Sequence, residues 1–188
     1  MDKKTEIGNR GEEAVRDILK TLQGSLIAGF IRSKNICYYG RNFQIDFLVF
    51  VPKIGLVIVE VKNWRGTIKA TSKDQWTQEF KNNTHEYGNA SLQALRTAGM
   101  LLQILEKGGM NKYPIRPVVV FAHDDATILR ANKAHLAPQT DIIRKSMLEN
   151  WLQENSSSEI NYRFSQNDFD AVKNIIIQYT QEYVAKEM

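Results

Sequence analysis

The sequence lacks the features that mark disulfide-stabilised, zinc-binding and membrane proteins. It contains one cysteine, Cys37, in 188 residues, which excludes an internal disulfide and a cysteine-rich zinc site. Its main apolar runs, 47–51, 56–59 and 118–122, are far too short to cross a bilayer. The first residues are polar, without the apolar segment of a signal peptide. We therefore expect a cytoplasmic protein that does not associate with membranes.

Several common catalytic patterns are missing as well. There is no Gly-rich phosphate loop and no nucleophile motif for acyl transfer, so we expect no nucleotide cofactor. The histidines His85, His123 and His135 show no metal-ligand spacing. The segment 123–125, His-Asp-Asp, follows an apolar run and can be read as a site, although a solvated turn is the simpler interpretation.

The composition is that of one soluble domain. Hydrophobic residues make up 43% and charged residues 24%, which is typical of a globular protein of this length. We therefore predict a single domain over residues 1–188. The net charge of +4 is a mild basic bias, which permits a polyanionic partner without establishing one.

Hydrophobic periodicity predicts an α/β fold. Helices are expected at about 9–22, 91–107, 146–153 and 168–184, with Ser91 and Ser146 as caps. Strands are expected at 38–39, 45–51, 56–61, 67–70, 118–122, 128–129 and 142–143. The segment 52–55, Pro-Lys-Ile-Gly, has the chemistry of a hairpin turn. This order of elements predicts a mixed central sheet flanked by helices on both faces.

The first helix carries a glutamate that can reach a site. Its apolar stripe contains Val15, Ile18, Leu19 and Leu22. At about 100° per residue, Glu12 lies at the border of this stripe and Glu13 on the opposite, solvent side. Gly8 and Gly11 fall on the stripe and would let a neighbour approach closely. An ordinary first-turn glutamate, favoured by the helix dipole, remains an alternative for Glu12.

Three charged residues interrupt the predicted hairpin. Asp46 begins one apolar run, and Glu60 and Lys62 end the next. Side chains alternate along a strand. Asp46 and Glu60 therefore share a face only if even-numbered residues pair with even-numbered ones and odd with odd, which places Val51 opposite Gly55. Carboxylates are ligands for Mg²⁺ or Mn²⁺, and a lysine beside them can orient water or stabilise a transition state. The alternative is a buried ion pair that serves structure alone.

Further along the chain, aromatic and basic residues alternate. Trp64 and Trp76 can stack on bases or pack in the core. Arg65, Lys69 and Lys73 can contact phosphates, although a solvated basic face explains them equally well.

These residues together resemble the nuclease-related domain (NERD) family, a branch of the PD-(D/E)xK nuclease superfamily. Gly8-x-x-Gly11-Glu12 is similar to the first-helix motif of that family. The segments 44–46, Gln-Ile-Asp, and 60–63, Glu-Val-Lys-Asn, with a glycine at position 66, are similar to its next two motifs. The segment 89–93, Asn-Ala-Ser-Leu-Gln, is similar to its Asn-Pro-x-x-Gln signature. Here Ala90 replaces the proline, which leaves the entry to the helix less rigid.

The resemblance implies a restriction-endonuclease-like core at about 8–122, followed by a C-terminal extension at about 123–188. It implies that Glu12, Asp46 and Glu60 bind Mg²⁺ or Mn²⁺, that Lys62 is catalytic and that Gln93 supports the site. The implied function is metal-dependent hydrolysis of DNA. For such a substrate, the candidate DNA contacts among the basic and aromatic residues are Arg41, Trp64, Arg65 and Lys69. A homodimer would suit the cutting of both strands. The alternative is a non-catalytic DNA-binding or partner-binding module that retains the fold.

Overall fold

The computed structural model describes residues 3–180, with the backbone alone for residues 3–6 and Ser33. Its helices are α1 (Lys3–Leu22), α2 (Ala90–Lys107), α3 (Leu148–Asn155) and α4 (Gln166–Ile177), with a short 3-10 helix at Lys145–Met147. Its strands are β1 (Gly29–Tyr38), β2 (Arg41–Val51), β3 (Gly55–Lys62), β4 (Gly66–Ala70), β5 (Gln75–Phe80), β6 (Asn83–Gly88), β7 (Ile115–Phe121), β8 (Ala126–Arg130) and β9 (Asp141–Arg144). No helix within residues 3–180 is long and apolar enough to span a membrane.

The larger sheet has five strands in the order β1-β2-β3-β7-β9. The β1–β2 and β2–β3 pairs are antiparallel, whereas β3–β7 and β7–β9 are parallel. Apolar side chains cover both of its faces, with α1 and α3 on one and α2 and α4 on the other. Strands buried on both faces are expected to contain continuous apolar runs, and β2, β3 and β7 do so at 47–51, 56–59 and 117–121. The prediction of a mixed sheet between helices is confirmed.

The β2–β3 hairpin has the predicted register. Val51 pairs with Gly55 and Phe47 with Val59, so the same register carried one step further sets Asp46 opposite Glu60. The turn requires glycine at position 55, where φ is +120° and a Cβ atom would lie 2.7 Å from the carbonyl oxygen of Pro114. The turn therefore determines which side chains of the two strands share a face.

The smaller sheet has four strands in the order β6-β5-β4-β8, and the sequence pattern predicted only β4 and β8 of these. It packs on the larger sheet through an apolar cluster that includes Ile68, Trp76 and Phe121. The β5–β6 hairpin turns at Lys81 and Asn82, which have φ values of +49° and +62°. A two-residue turn with positive φ at both positions suits the twist of a hairpin.

Several predicted helix boundaries were wrong. The first helix begins at Lys3, not at about residue 9. Asn89, not Ser91, caps α2 by accepting a hydrogen bond from the Leu92 N–H. The cap position of α3 is Met147, and Ser146 lies in the preceding 3-10 helix.

The last helix also begins earlier than predicted. Ser165 and Asp168 form a capping box at the start of α4. The predicted end of this helix, at about residue 184, was wrong, because α4 ends at Ile177 and Gln178 is its C-cap.

Candidate active site

Two buried carboxylates form the centre of the site. Asp46 on β2 is 7% exposed and Glu60 on β3 is 3% exposed. The Val61 N–H donates a 2.8 Å hydrogen bond to Oδ2 of Asp46. The hairpin register thus brings together two acidic side chains that would each prefer water.

Burial changes the protonation of both carboxyl groups. The pKa of Asp46 is raised from 3.8 to about 7. Burial is the largest cause and the charge of Glu60 adds to it, while the hydrogen bond from Val61 opposes the shift. Burial also raises the pKa of Glu60, although the neighbouring Lys62 opposes the shift. A pair of like charges held out of water favours protonation or the arrival of a cation.

Lys62, at the end of β3, forms an ion pair with Glu60. Its Nζ lies 2.7 Å from Oε1 of Glu60 and donates a 3.0 Å hydrogen bond to Oε1 of Gln93. Since its side chain is 17% exposed, the ammonium group lies at the boundary between the buried pair and solvent. The arrangement presents a fixed positive charge next to two hard oxygen donors.

Asn89 fixes the start of α2 and therefore the position of Gln93. Its Oδ1 accepts from the Leu92 N–H at 3.0 Å, and its Nδ2 donates to the carbonyl oxygens of Thr71 and Lys73 at 3.1 and 2.7 Å. These bonds tie the helix entry to the segment between β4 and β5. They anchor the helix entry immediately before Ala90.

Glu12 approaches the same site from α1. The Gln44 Nε2 donates to its Oε1 at 3.5 Å, the long limit of a hydrogen bond. The negative charge of Glu12 also raises the pKa of both Asp46 and Glu60. The prediction that Glu12 faces the site, made from helical geometry, is therefore supported by the electrostatics of its neighbours.

Gly11 allows α1 to lie close to the ends of β3 and β7. A Cβ atom there would lie 2.7 Å from Cβ of Asn63 and 3.3 Å from Cβ of Ala122. The expectation of a close approach is therefore confirmed for Gly11. It is wrong for Gly8, because a Cβ atom at that position would have no neighbouring atom within 4 Å. The close approach brings the glutamate that follows Gly11 toward the strand ends.

Glu13 does not point freely into solvent as predicted. Its carboxylate forms ion pairs with Arg16 on the same helix and with Arg32 on β1. The Arg32 contact lowers the pKa of Glu13. The helical wheel indicated the direction of Glu13 away from the stripe, but it contained no information about the neighbouring strand.

The donor chemistry of the site fits a hard divalent cation. Asp46, Glu60 and Glu12 supply carboxylate oxygens of the kind that Mg²⁺ and Mn²⁺ prefer, and a cation would relieve the charge that burial disfavours. Among residues 3–180, no three acidic, histidine or cysteine side chains already form a compact metal-binding cluster. The two buried carboxylates are close together, and Glu12 acts on them from farther away.

The predicted DNA contacts lie in different environments. Arg41 is exposed at the start of β2, five residues before Asp46. Arg65 is exposed and its guanidinium lies 4.1 Å from the centre of the Phe80 ring. Lys69 forms a 2.6 Å ion pair with Glu79, so its ammonium group already has an anionic partner.

The two tryptophans have separate roles. Trp76 is buried, and its indole N–H donates to the carbonyl oxygen of Thr71 at 2.8 Å, so the packing interpretation is confirmed for it. Trp64 is half-buried and stacks on Tyr87, with ring centres 4.5 Å apart. The Lys62 Nζ lies 5.8 Å from the centre of the Trp64 ring, so Trp64 adjoins the carboxylate site.

Two residues near the site were missed in the sequence. Tyr87 was missed because β6 has no apolar alternation. Arg96 is exposed one turn after Gln93, and a helical spacing of three residues would have indicated it. A groove of about 230 Å³ adjoins the side chains of Gln93 and Arg96 on α2. Its lining consists of Asp74, Gly88, Asn89, Leu92, Gln93 and Arg96.

The segment 123–125 forms a turn, as the simpler interpretation had it. The Asp125 N–H donates to Nδ1 of His123 at 3.1 Å. Asp124 forms a 2.7 Å ion pair with Lys145, which also donates to the carbonyl oxygen of Ala122. Lys145 thus links Asp124 to the residue that follows β7, Ala122.

Comparison with known proteins gives one result. A family model described as nuclease-related domain matches residues 7–122, which is more than half of the chain and includes every carboxylate of the site. No curated protein sequence and no solved structure matched the chain.

Proposed function

The chain belongs to the nuclease-related domain family, and we propose that it is a metal-dependent DNA endonuclease that hydrolyses phosphodiester bonds. The observation that carries the proposal is the burial of Asp46 and Glu60 side by side, with Lys62 held against Glu60 by Gln93. Paired carboxylates of this kind cost stability, and strongly perturbed carboxyl groups are concentrated in functional sites.

Each residue has a distinct task in this proposal. Asp46 and Glu60, with Glu12, would hold Mg²⁺ or Mn²⁺. When bound, the metal would polarise the scissile phosphate and lower the pKa of the attacking water. Lys62 orients that water and stabilises the negative charge that develops on the phosphate oxygens. Gln93 is a positioning residue, since its Oε1 accepts a hydrogen bond from the Lys62 ammonium group and restricts its direction.

The contacts to DNA follow from the exposed basic groups. Arg41 and Arg65 would neutralise phosphates, and Trp64 would meet a base beside Lys62. Lys69 would contribute less, because Glu79 competes for its charge. A homodimer and a cytoplasmic location stay predictions.

Cleavage of a mixed DNA panel tests the proposal. Supercoiled, linear, single-stranded and branched DNA are incubated with Mg²⁺ or Mn²⁺ and with the wild type, Lys62→Ala or Lys53→Ala, which changes an exposed lysine of the β2–β3 turn. We expect metal-dependent cutting that Lys62→Ala abolishes and Lys53→Ala retains. Absence of cutting by the wild type on every substrate, with DNA binding preserved, would favour the non-catalytic binding module.

Calorimetry separates metal binding from catalysis. Titration of the wild type with Mn²⁺ should show a site that Asp46→Ala removes. The matched control is Asp17→Ala, which changes an exposed aspartate of α1. If both variants bind Mn²⁺ as the wild type does, Asp46 is not a ligand.

A further inference from the structure

A row of aromatic rings leads away from the Lys62 ammonium group. Trp64 is the first ring, 5.8 Å from the Lys62 Nζ. Tyr87 stacks on it at 4.5 Å with an angle of 24° between the rings. His85 follows, with its ring centre 6.4 Å from that of Tyr87 and an angle of 49° between them.

The row lies at the free edge of the smaller sheet. β6 is the edge strand of that sheet, and His85 and Tyr87 are two residues apart, so they share one face. Their partners on β5 are Gln78 and Trp76, both buried. Trp76 therefore packs the core on this face, while His85 is exposed and Tyr87 half-exposed beyond it.

The charges near the row suit a polyanion. Arg65 lies over the Phe80 ring, and the Lys81 Nζ lies 5.5 Å from the centre of the same ring. Phe80 shares the face of Trp76 and Gln78, because the three alternate along β5. Glu79 and Glu86 point from the opposite face. The face that carries the rings is thus bordered by cations.

We infer that the Trp64–Tyr87–His85 row binds the unpaired bases of a single strand next to the bond that is cut. The inference rests on the proposed function and narrows its substrate to DNA with a single-stranded segment. Bases within a duplex cover each other's faces, whereas unpaired bases expose them for stacking on aromatic side chains. Arg65 and Lys81 would then contact phosphates of the same strand.

Binding without metal tests this inference apart from cleavage. The probes are a fluorescent single strand of about 12 nucleotides and the blunt duplex of the same sequence, at one fixed salt concentration in the presence of a chelator. The variants are Tyr87→Leu, Tyr87→Phe and His85→Ala. The matched control is Thr84→Ala, which lies on β6 but faces the other side of the sheet.

We expect the wild type to bind the single strand more tightly than the duplex. Tyr87→Leu should weaken single-strand binding about tenfold and His85→Ala a few-fold, while Tyr87→Phe and Thr84→Ala keep it. Duplex binding should change little in all four variants. Because His85 is exposed, its variant remains informative if Tyr87→Leu does not fold.

Equal affinity for the two probes, or single-strand binding that neither ring variant weakens, would overturn the inference. The same proteins are then assayed for cleavage with Mg²⁺ or Mn²⁺. Ring-dependent binding without cutting would support the stacking row and contradict the nuclease. Cutting that requires Lys62 but is unchanged in Tyr87→Leu and His85→Ala would support the nuclease and contradict the inference that the row binds bases.

Discussion

Two lysine–glutamate pairs of nearly equal length show how much their surroundings matter. Lys62 and Glu60 in the larger sheet are 2.7 Å apart, and Lys69 and Glu79 in the smaller sheet are 2.6 Å apart. The side chains of the first pair are 17% and 3% exposed, and those of the second are 51% and 46% exposed. Water screens the exposed pair, which is therefore expected to contribute little to stability.

The buried pair differs because its glutamate cannot be solvated. Burial raises the pKa of Glu60 even with a lysine at hydrogen-bond distance, so the ion pair does not offset the loss of water. Asp46 adds a second buried carboxyl group. The contact distance alone thus identifies an ion pair, whereas burial distinguishes a candidate reactive site from a surface contact.

The largest difference is expected when each glutamate is neutralised. Glu60→Gln should reduce the rate of DNA cleavage at least ~100-fold, because it removes a metal ligand and the partner of Lys62. Glu79→Gln should leave the rate unchanged. Initial rates with saturating Mg²⁺ measure both. Equal losses in the two variants would remove the functional distinction between the pairs.

The cost of the buried charge can be measured as stability. For Asp46, folding raises the pKa from 3.8 to about 7. Its contribution is therefore fully present below pH 3.8 and is lost as the pH rises through about 7. We expect Asp46→Asn to increase the free energy of unfolding by ~1–3 kcal/mol at pH 8, and by less at pH 5.

Urea denaturation with a chelator, at both pH values, measures this difference. Glu79→Gln is the matched control and should show little change with pH. If Asp46→Asn is no more stable than the wild type at pH 8, the carboxyl group is better solvated than its burial indicates. A stabilised variant that no longer cuts DNA would show that the site reduces stability for function.

Gln93 should matter less than the carboxylates. Gln93→Ala removes the hydrogen bond that it accepts from Lys62, and hydrogen bonds to charged groups contribute about 1.5–3 kcal/mol. We expect kcat to fall roughly tenfold with little change in KM. Gln103→Ala, an exposed position of the same helix, is the control. A higher KM with unchanged kcat would assign Gln93 to substrate binding instead.

The smallest effect is expected at the exposed pair. A double-mutant cycle with Lys69→Ala and Glu79→Ala should give a coupling energy below ~1 kcal/mol, which decreases as salt is added. Urea denaturation of the four proteins measures it. A coupling energy that is larger and insensitive to salt would mean that solvent does not screen this pair.

Local patterns in the sequence predicted the parts of the site that lie on regular elements. The stripe of Val15 and Leu19 oriented α1 and singled out Glu12. Strand alternation required Val51 to pair with Gly55 if Asp46 and Glu60 were to meet, and that register is present. The predicted register is present because the period of a strand is a property of the local backbone.

Other parts could not be predicted from local patterns. β5 and β6 carry few apolar residues, so nothing in their sequence indicated strands, although Trp76 anchors the hairpin in the core. Ser91 fits a helix cap by its residue type, yet its Oγ accepts hydrogen bonds from Thr140, 49 residues away. Contacts between distant segments decided both outcomes.

The sequence by itself determined the residue types of the site, their order and the faces on which they lie. Only the tertiary structure decided that Glu60 is buried and that the half-buried Lys62 contacts both Glu60 and Gln93, while Glu79 and Lys69 are exposed. It also decided that Trp64 and Tyr87 stack next to Lys62. The physical reason is that burial and the electric field at a side chain depend on segments far away in the chain, which the period of a single helix or strand does not report.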